Sequence, residues 1–287
     1  MNNKTHFLFF LIILIVSGCV DNQINPLEED SGVFSFYGTI EVGKTPNVVR
    51  VKDLNDAFLA DSTEFNGTIT FTDLETGEST TPIDSVVQFS AGFTHNFIID
   101  QEIKPNTSYI LEAVRTDGLT AESIANTPAV TDVFLFPVQD SFNCEQNITF
   151  RFENVVPPEF IDLQVVVIYE NERKSSDMRF FLQEFRRIDN EDTTEITLSP
   201  HNLLVEVFPP ESLLNNPNLD PFSVNPMVGC AQLDSDQMEL VFTHYGQEWA
   251  TARPIIRGLI DFDSGDVTNG LGIFGGFYRN TIQFLID

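Results

Sequence analysis

Basic residues and cysteine are scarce in this sequence. The chain has 15 Lys and Arg against 43 Asp and Glu, a formal charge of −28, and only three Cys. A chain of that sign repels phosphate, which excludes nucleic-acid binding, and it is not expected to dock flat on anionic lipid. The charge favours solubility outside the cell, with binding of cations or of a basic partner as the alternative.

Histidine is also sparse, and familiar catalytic motifs are missing. The four histidines are His6, His95, His201 and His244, and none has a metal-ligand partner at helical or turn spacing. The spacing of His244 and Glu248 is more typical of a packed aromatic edge than of a site. The patterns H-E-x-x-H, G-x-S-x-G and S-x-x-K do not occur. We therefore predict a non-enzymatic protein without a cofactor; a hydrolase with scattered catalytic residues is an alternative.

The chain begins with a short apolar run that is typical of a signal peptide. The polar start carries Lys4, and the run from Phe7 to Val16 has about ten residues, half of what a transmembrane helix needs. It ends in Val16-Ser-Gly-Cys19, which resembles the lipobox of bacterial lipoproteins. The resemblance implies cleavage of residues 1–18 and lipidation of Cys19. Two or more acyl chains anchor a protein stably to a membrane.

Residues 19–31 are polar and acidic, a composition that predicts a flexible tether. An acidic stretch after the lipid cysteine resembles the surface-export signal of Bacteroidetes-type lipoproteins. We therefore expect an outer-membrane location, on the cell surface in preference to the periplasmic face. The removed segment has one Lys and no acidic residue, so 14 basic and 43 acidic residues remain, a charge of −29.

Once Cys19 is assigned to lipid, Cys144 and Cys230 remain as an even pair. An oxidising compartment favours a disulfide between them. Two buried thiols are the alternative.

Residues 32–128 contain short alternating segments with turn signals between them. Within Lys104–Val114, for example, Tyr109, Leu111 and Ala113 point to one side. No long helical period interrupts the series. This pattern predicts an antiparallel β-sandwich of immunoglobulin or fibronectin type.

Residues 129–287 are predicted to form a second β-rich domain with one or two short helices. Pro128 marks the boundary, and Pro210–Leu214 and Tyr245–Ala252 are the helical candidates. The predicted strands are Asn147–Phe152, Ile161–Tyr169, Met178–Phe185, Thr194–Leu198, Asn202–Phe208, Met238–Thr243 and Thr281–Ile286.

A glycine-rich segment near the end matches G-x-G-x-x-G literally. A dinucleotide site would need a following helix and an acidic residue about twenty positions on, whereas only a strand-like tail follows Gly275. We interpret the segment as structural, with glycines that allow positive φ or close backbone approach. Its members are Gly270, Gly272, Phe274, Gly275 and Gly276.

Asp261, Asp263 and Asp266 superficially resemble a calcium loop. The EF-hand pattern needs Glu at loop position twelve, where this chain has Gly272. A solvated acidic turn is the preferred interpretation, and no metal site is predicted.

Two segments resemble a family of Bacteroidetes-type outer-membrane lipoproteins that are often encoded beside TonB-dependent receptors. Tyr109-Ile-Leu111 through Ala121 and Pro128 is similar to the end of that family's immunoglobulin-like domain. Asn269-Gly-Leu-Gly-Ile-Phe-Gly-Gly276 is similar to its C-terminal motif, although Asn-Gly replaces a doubled glycine. The stretch after the first segment also departs from the family's aromatic-rich strand. The resemblance implies a location and a genetic neighbourhood rather than a chemistry.

These observations predict a lipid-anchored binding or assembly module whose partner is a TonB-dependent outer-membrane receptor. A cell-surface adhesin or glycan-binding module is the alternative within the non-enzymatic class. The sequence does not identify the ligand.

Overall fold

The computed structural model describes a chain that is mostly β-strand. The residues described are 32–54, 64–89, 92–153, 160–181, 186–187, 193–215, 224–233, 237–246, 249 and 267–287. The prediction of an all-β chain is confirmed at this level. No helix within these ranges is long and apolar enough to span a membrane.

Eight strands lie among the described residues before position 128, and alternating burial explains why the second, third, seventh and eighth of them form. In the seventh, Tyr109, Leu111 and Ala113 are buried while the residues between them are partly exposed. This period of two gives a strand of this kind one core face. The strands are β1 (Phe34–Glu41), β2 (Asn47–Asp53), β3 (Gly67–Asp73), β4 (Ser79–Thr80), β5 (Ile83–Phe89), β6 (Gly92–Ile99), β7 (Ser108–Arg115) and β8 (Thr120–Asn126).

The remaining elements include ten further strands and three short helices. They are β9 (Val133–Phe136), β10 (Ser141–Phe142), β11 (Ile148–Glu153), β12 (Phe160–Tyr169), β13 (Glu172–Phe181), β14 (Arg186–Arg187), β15 (Thr193–Leu198), α1 (Pro200–Val207), α2 (Glu211–Asn215), a 3-10 helix (Cys230–Gln232), β16 (Gln237–Tyr245), β17 (Val267–Thr268) and β18 (Gly270–Ile286).

These strands form three sheets. Sheet A has the order β13-β12-β16-β18-β1-β2-β6-β5, and β10 also pairs with β18. Sheet B has the order β17-β8-β7-β3-β4, and sheet C has the order β14-β15-β11-β9.

The long strand β18 connects the two halves of the chain. Its first half pairs in parallel with β1, from Phe34 opposite Gly270 to Glu41 opposite Phe277. Its second half pairs antiparallel with β16, and its end also pairs with β10. The predicted strand at residues 281–286 is therefore only the last third of a strand that starts at Gly270.

Two hydrophobic cores lie on either side of this connection. The first core is formed mainly by sheet B and the β1–β2–β6 part of sheet A, and it includes Phe36, Phe71 and Tyr109. The second core is formed by β11, β12, β16 and α1, and it includes Phe150 and Phe242. Strand β18 contributes to both, through Phe274 in the first core and Phe284 and Ile286 in the second.

Residues 32–287 consequently form one compact unit. Most strands of the first core precede the boundary predicted at residue 128 and most strands of the second core follow it, but the boundary does not separate the sheets. Strand β18, from the C-terminal part, completes a sheet that begins with β1. A non-local pairing of this kind leaves no signal in the local sequence pattern.

The prediction of a strand at Asn202–Phe208 is wrong, because this segment lies in α1. The Ser199 hydroxyl accepts a hydrogen bond from the Asn202 amide (3.2 Å), and Pro200 occupies the first turn. Ser at the N-cap followed by Pro is a strong helix start. The helix buries Leu203 and Leu204 against the second core.

The predicted helix at Tyr245–Ala252 falls largely outside the described residues. Tyr245 itself ends β16, and Trp249 is described as a buried residue next to β18.

Candidate functional site

Several residues singled out from the sequence lie outside the described part of the chain. They are the lipidation cysteine Cys19 and the acidic residues Asp261, Asp263 and Asp266. The site is therefore built from the remaining candidates.

The glycine-rich segment is the start of β18, and its glycines lie where other backbones pass closely. A Cβ on Gly270 or Gly272 would collide with the carbonyl oxygen of Phe34 or Phe36, and Gly272 has a φ of +103°. A Cβ on Gly276 would lie 2.7 Å from the Asn126 carbonyl oxygen. These contacts give the glycines a structural role, since only a residue without a side chain fits between such backbones.

Two other members of the segment have different surroundings. Phe274 is fully buried in the first core, with its ring edge-on to Phe71 at 6.3 Å between centroids. Gly275 pairs with Thr39 of β1. The segment continues as a strand to Ile286, which contradicts a dinucleotide-binding arrangement because that motif opens a helix.

Cys144 and Cys230 are joined in a disulfide across 86 residues, so the alternative of two free thiols does not apply to the structure. Glu145 and His201 lie beside the bond. The ligand atoms of Cys144, Glu145 and His201 all lie within 4.8 Å of one another. In this oxidised state the sulfur carries no thiolate, which is the form that binds metals, so the cluster offers a metal only an imidazole and a carboxylate.

A second histidine–carboxylate pair joins β5 and β6. The Nδ1 atom of His95 lies 2.8 Å from Asp84 Oδ2, and its ring packs edge-on against Phe65. A catalytic base oriented by a carboxylate would also need a hydroxyl or thiol nucleophile within hydrogen-bond reach. Among the described residues, neither a hydroxyl nor a thiol bonds to His95; its contacts are the Asp84 carboxylate and the rings of Phe65 and Phe97.

His244 is buried in β16 between aromatic rings. Its ring is edge-on to Phe152 at 5.9 Å and tilted against Tyr278 at 6.2 Å. Within the described ranges its Nε2 atom has no hydrogen-bond partner. Burial without a partner disfavours the charged ring and lowers the pKa of His244 to about 4. The interpretation of His244 as a packed aromatic residue agrees with this environment.

This burial predicts a pH-dependent loss of stability. The folded pKa of about 4 lies below the ordinary value of 6.5. Between these two pH values His244 is therefore protonated in the unfolded state and neutral in the folded state. The stabilisation is present above pH 6.5 and is lost as the pH falls towards 4, by about 3 kcal/mol. We expect His244→Phe to remove this component. Urea unfolding at pH 7 and pH 4.5 measures it, and an equal loss of stability in both proteins would contradict the assignment.

An exposed aromatic surface lies on the edge of sheet C. In β9, Val133 and Leu135 pack against the second core, whereas Phe134 and Phe136 point away from it and are 41% and 36% exposed. The nearby Val138 is 86% exposed. Within the described residues, β9 pairs with β11 on one side and with no strand on the other.

Arg151 packs against one ring of this surface and is held by an ion pair. The Arg151 guanidinium lies over the Phe136 ring, 4.3 Å from its centroid, and binds Glu195 Oε1 through Nη2 at 2.7 Å and Nε at 2.8 Å. A fixed arginine next to exposed aromatic rings is a composition enriched in protein–protein interfaces. We call Phe134, Phe136, Val138 and Arg151 the β9 surface.

This surface is not predicted from the sequence motifs, although a local signal exists. Residues Val133-Phe-Leu-Phe136 are apolar without alternation. A strand of this composition has two apolar faces and needs cover on both. When the fold covers only one face, the other becomes a candidate interface.

Comparison with known proteins adds little to this geometry. No protein-family model matches the sequence, and no curated protein matches it. A crystal structure of pullulanase from Anoxybacillus sp. LM18-11 is similar at 7% identity over 74% of this chain and 24% of that chain, with a TM-score of 0.24. Dimeric latent PorU from Porphyromonas gingivalis is similar at 13% identity over 75% of this chain and 19% of that chain, also with a TM-score of 0.24. This chain thus spans a quarter or less of those proteins, and similarity at this level carries no argument.

Proposed function

We propose that this protein is a lipid-anchored, non-enzymatic binding module of the outer membrane, whose β9 surface holds a TonB-dependent receptor. The observation that carries the proposal is the pair of exposed rings of Phe134 and Phe136 beside an ordered Arg151. Exposed aromatic rings grouped on an edge strand are typical of an interaction surface.

The anchor and the tether are inferred from the sequence. Lipid on Cys19 would hold the protein at the membrane, and residues 19–31 would allow it to reach a partner in the same membrane. Tethering both proteins to one membrane raises their effective concentration, so a modest interface suffices for association. The choice of a TonB-dependent receptor comes from the family resemblance of the two β segments.

We also propose that residues 32–128 form an immunoglobulin-like sandwich. The order β1-β2-β6-β5 in sheet A and β8-β7-β3-β4 in sheet B corresponds to an A-B-E-D sheet facing a G-F-C-C′ sheet. Tyr109 lies near the start of the strand that corresponds to F, and its hydroxyl accepts a hydrogen bond from the Lys104 amide at 2.9 Å. A tyrosine corner has this hydrogen bond. Strand β18 would then extend the A-B-E-D sheet beyond β1.

The proposal predicts that charge on the β9 surface abolishes receptor binding. In Phe134→Glu/Phe136→Glu, two rings are replaced by carboxylates, and the loss of one hot-spot residue costs about 2 kcal/mol or more, roughly 30-fold in affinity. The measurement is recovery of a β-barrel receptor from outer membranes with the lipidated protein, identified by mass spectrometry. We expect at least a tenfold loss of that receptor.

Leu74→Glu is the matched control, because Leu74 is 46% exposed and lies in the turn after β3, outside the β9 surface. It should recover the receptor as the parent protein does. The proposal fails if the parent recovers no β-barrel receptor, or if the double variant recovers as much as the control. Saturable binding of the double variant on a glycan array would instead support the adhesin alternative.

A further inference from the structure

We propose that the Cys144–Cys230 disulfide is the oxidised state of a zinc site, and that reduction allows both cysteines, His201 and Glu145 to bind one Zn²⁺. The proposal concerns a site apart from the β9 surface and does not depend on the proposed function.

The donor atoms are already assembled around the disulfide. The ligand atoms of Cys144, Glu145 and His201 lie within 4.8 Å of one another, and the Cys230 sulfur is bonded to that of Cys144. The His201 amide also donates to the Cys144 carbonyl oxygen at 2.9 Å. This hydrogen bond holds the first turn of α1 beside the cysteine, so the four side chains do not need a large rearrangement to meet.

An acceptor oxygen lies near each of the two ring nitrogens of His201. Its Nε2 atom lies 3.3 Å from the Val224 carbonyl oxygen, and its Nδ1 atom lies 3.2 Å from Glu145 Oε1. A neutral imidazole has a single N–H and can donate to only one of these two acceptors. With the proton on Nε2, the Nδ1 lone pair faces the carboxylate, an arrangement that a shared metal ion stabilises. Histidines that bind metals usually donate their other N–H to a carbonyl or carboxylate oxygen in this way.

The donor set and its exposure suit zinc. Two thiolates, one imidazole and one carboxylate fill a tetrahedral Zn²⁺ site. Cys230 is buried, whereas the Glu145 side chain is 77% exposed, which leaves an entry path on one side. The metal would replace the disulfide as the cross-link between residues 144 and 230.

The redox step balances with a dithiol reductant. The sulfur–sulfur bond of Cys144 and Cys230 breaks and accepts two electrons and two protons, while the dithiol, such as that of a thiol–disulfide oxidoreductase, is oxidised to its own disulfide. The two cysteine thiols then lose their protons to solvent as the sulfurs bind Zn²⁺.

The test uses the full chain with Cys19→Ser in detergent, so that Cys144 and Cys230 are the only thiols. Zn²⁺ affinity is measured against a chromophoric chelator for the oxidised protein and for the protein reduced with a phosphine. We expect one Zn²⁺ per reduced chain, bound at least 100-fold more tightly than by the oxidised chain. Cd²⁺ should give a thiolate-to-metal charge-transfer band only after reduction.

His201→Gln should weaken Zn²⁺ binding by the reduced chain at least tenfold, whereas His95→Gln, which alters the other histidine–carboxylate pair, should leave it unchanged. Because the reduced chain is less stable, thermal melting is a second measurement: Zn²⁺ should raise the Tm of the reduced parent but not that of reduced His201→Gln. The proposal is overturned if reduction does not increase the affinity, if His201→Gln binds as tightly as the parent, or if Zn²⁺ leaves the reduced Tm unchanged.

Discussion

Replacing Gly272 with alanine is expected to destabilise the whole unit by about 3 kcal/mol or more. Two costs combine at this position. The backbone has a φ of +103°, which L side chains rarely adopt, and an added Cβ would overlap the carbonyl oxygen of Phe36. Strand β1 would have to move away from β18. The β1–β18 pairing would weaken, and β18 contributes residues to both cores.

The measurement is urea unfolding followed by far-UV circular dichroism and by fluorescence. Trp249 is the one tryptophan of the sequence, and its Nε1–H donates to the Gly276 carbonyl oxygen at 3.1 Å, so the fluorescence reports on β18 itself. Both signals should shift together to lower urea concentration, because the loss of the β1–β18 pairing affects both halves of the chain.

Gly77→Ala is the control that separates the two costs. Gly77 also has a positive φ, +71°, but an added Cβ would have nothing within 4 Å. We expect a loss of about 1 kcal/mol there, from the backbone alone. A loss in Gly272→Ala no larger than that in Gly77→Ala would show that β18 does not pass β1 as closely as described.

Removing the disulfide is expected to have a similarly large effect. The cross-link joins residues 86 apart, and in the chain-entropy model a closed loop of that length contributes about 4–5 kcal/mol. Cys144→Ser/Cys230→Ser should therefore lower the free energy of unfolding by several kcal/mol in metal-free buffer, measured by urea denaturation. The parent protein treated with a phosphine should lose a comparable amount.

Cys19→Ser is the matched control, since position 19 precedes residues 32–287 in the sequence and those residues form one compact unit. It should leave the urea midpoint of that unit unchanged. If the double serine variant unfolds within about 1 kcal/mol of this control, the disulfide does not constrain the unfolded chain as the model of loop entropy requires.

The strands were the most predictable part of the fold. Alternation in a segment such as Lys104–Val114 is a local consequence of one buried face, and the structure has β7 there. The helix α1 was missed because Asn202–Phe208 also alternates weakly, while the decisive Ser199-Pro200 start precedes it. An N-cap is as local a sequence signal as alternation, so α1 could have been predicted from Ser199-Pro200.

The candidate sites were predictable only in part. The structural role of Gly270 and Gly272 followed from the need for close backbone approach, but which backbone approaches them did not. The β9 surface depends on which face of an apolar strand the second core covers. The pairing of His95 with Asp84 depends on the β5–β6 register. Each of these features depends on contacts between two segments that are separate in the sequence.

The local sequence pattern is sufficient to predict the all-β class and most strand positions, because a strand's period of two is visible in neighbouring residues. It also predicted the lipobox and left Cys144 and Cys230 as the remaining cysteine pair. Three features depend on how distant segments pack: β18 pairs with both β1 and β16, His201 and Glu145 lie beside the disulfide, and Phe134 and Phe136 stay exposed. These are contacts between segments far apart in the chain, and their free energy depends on packing that no local pattern encodes.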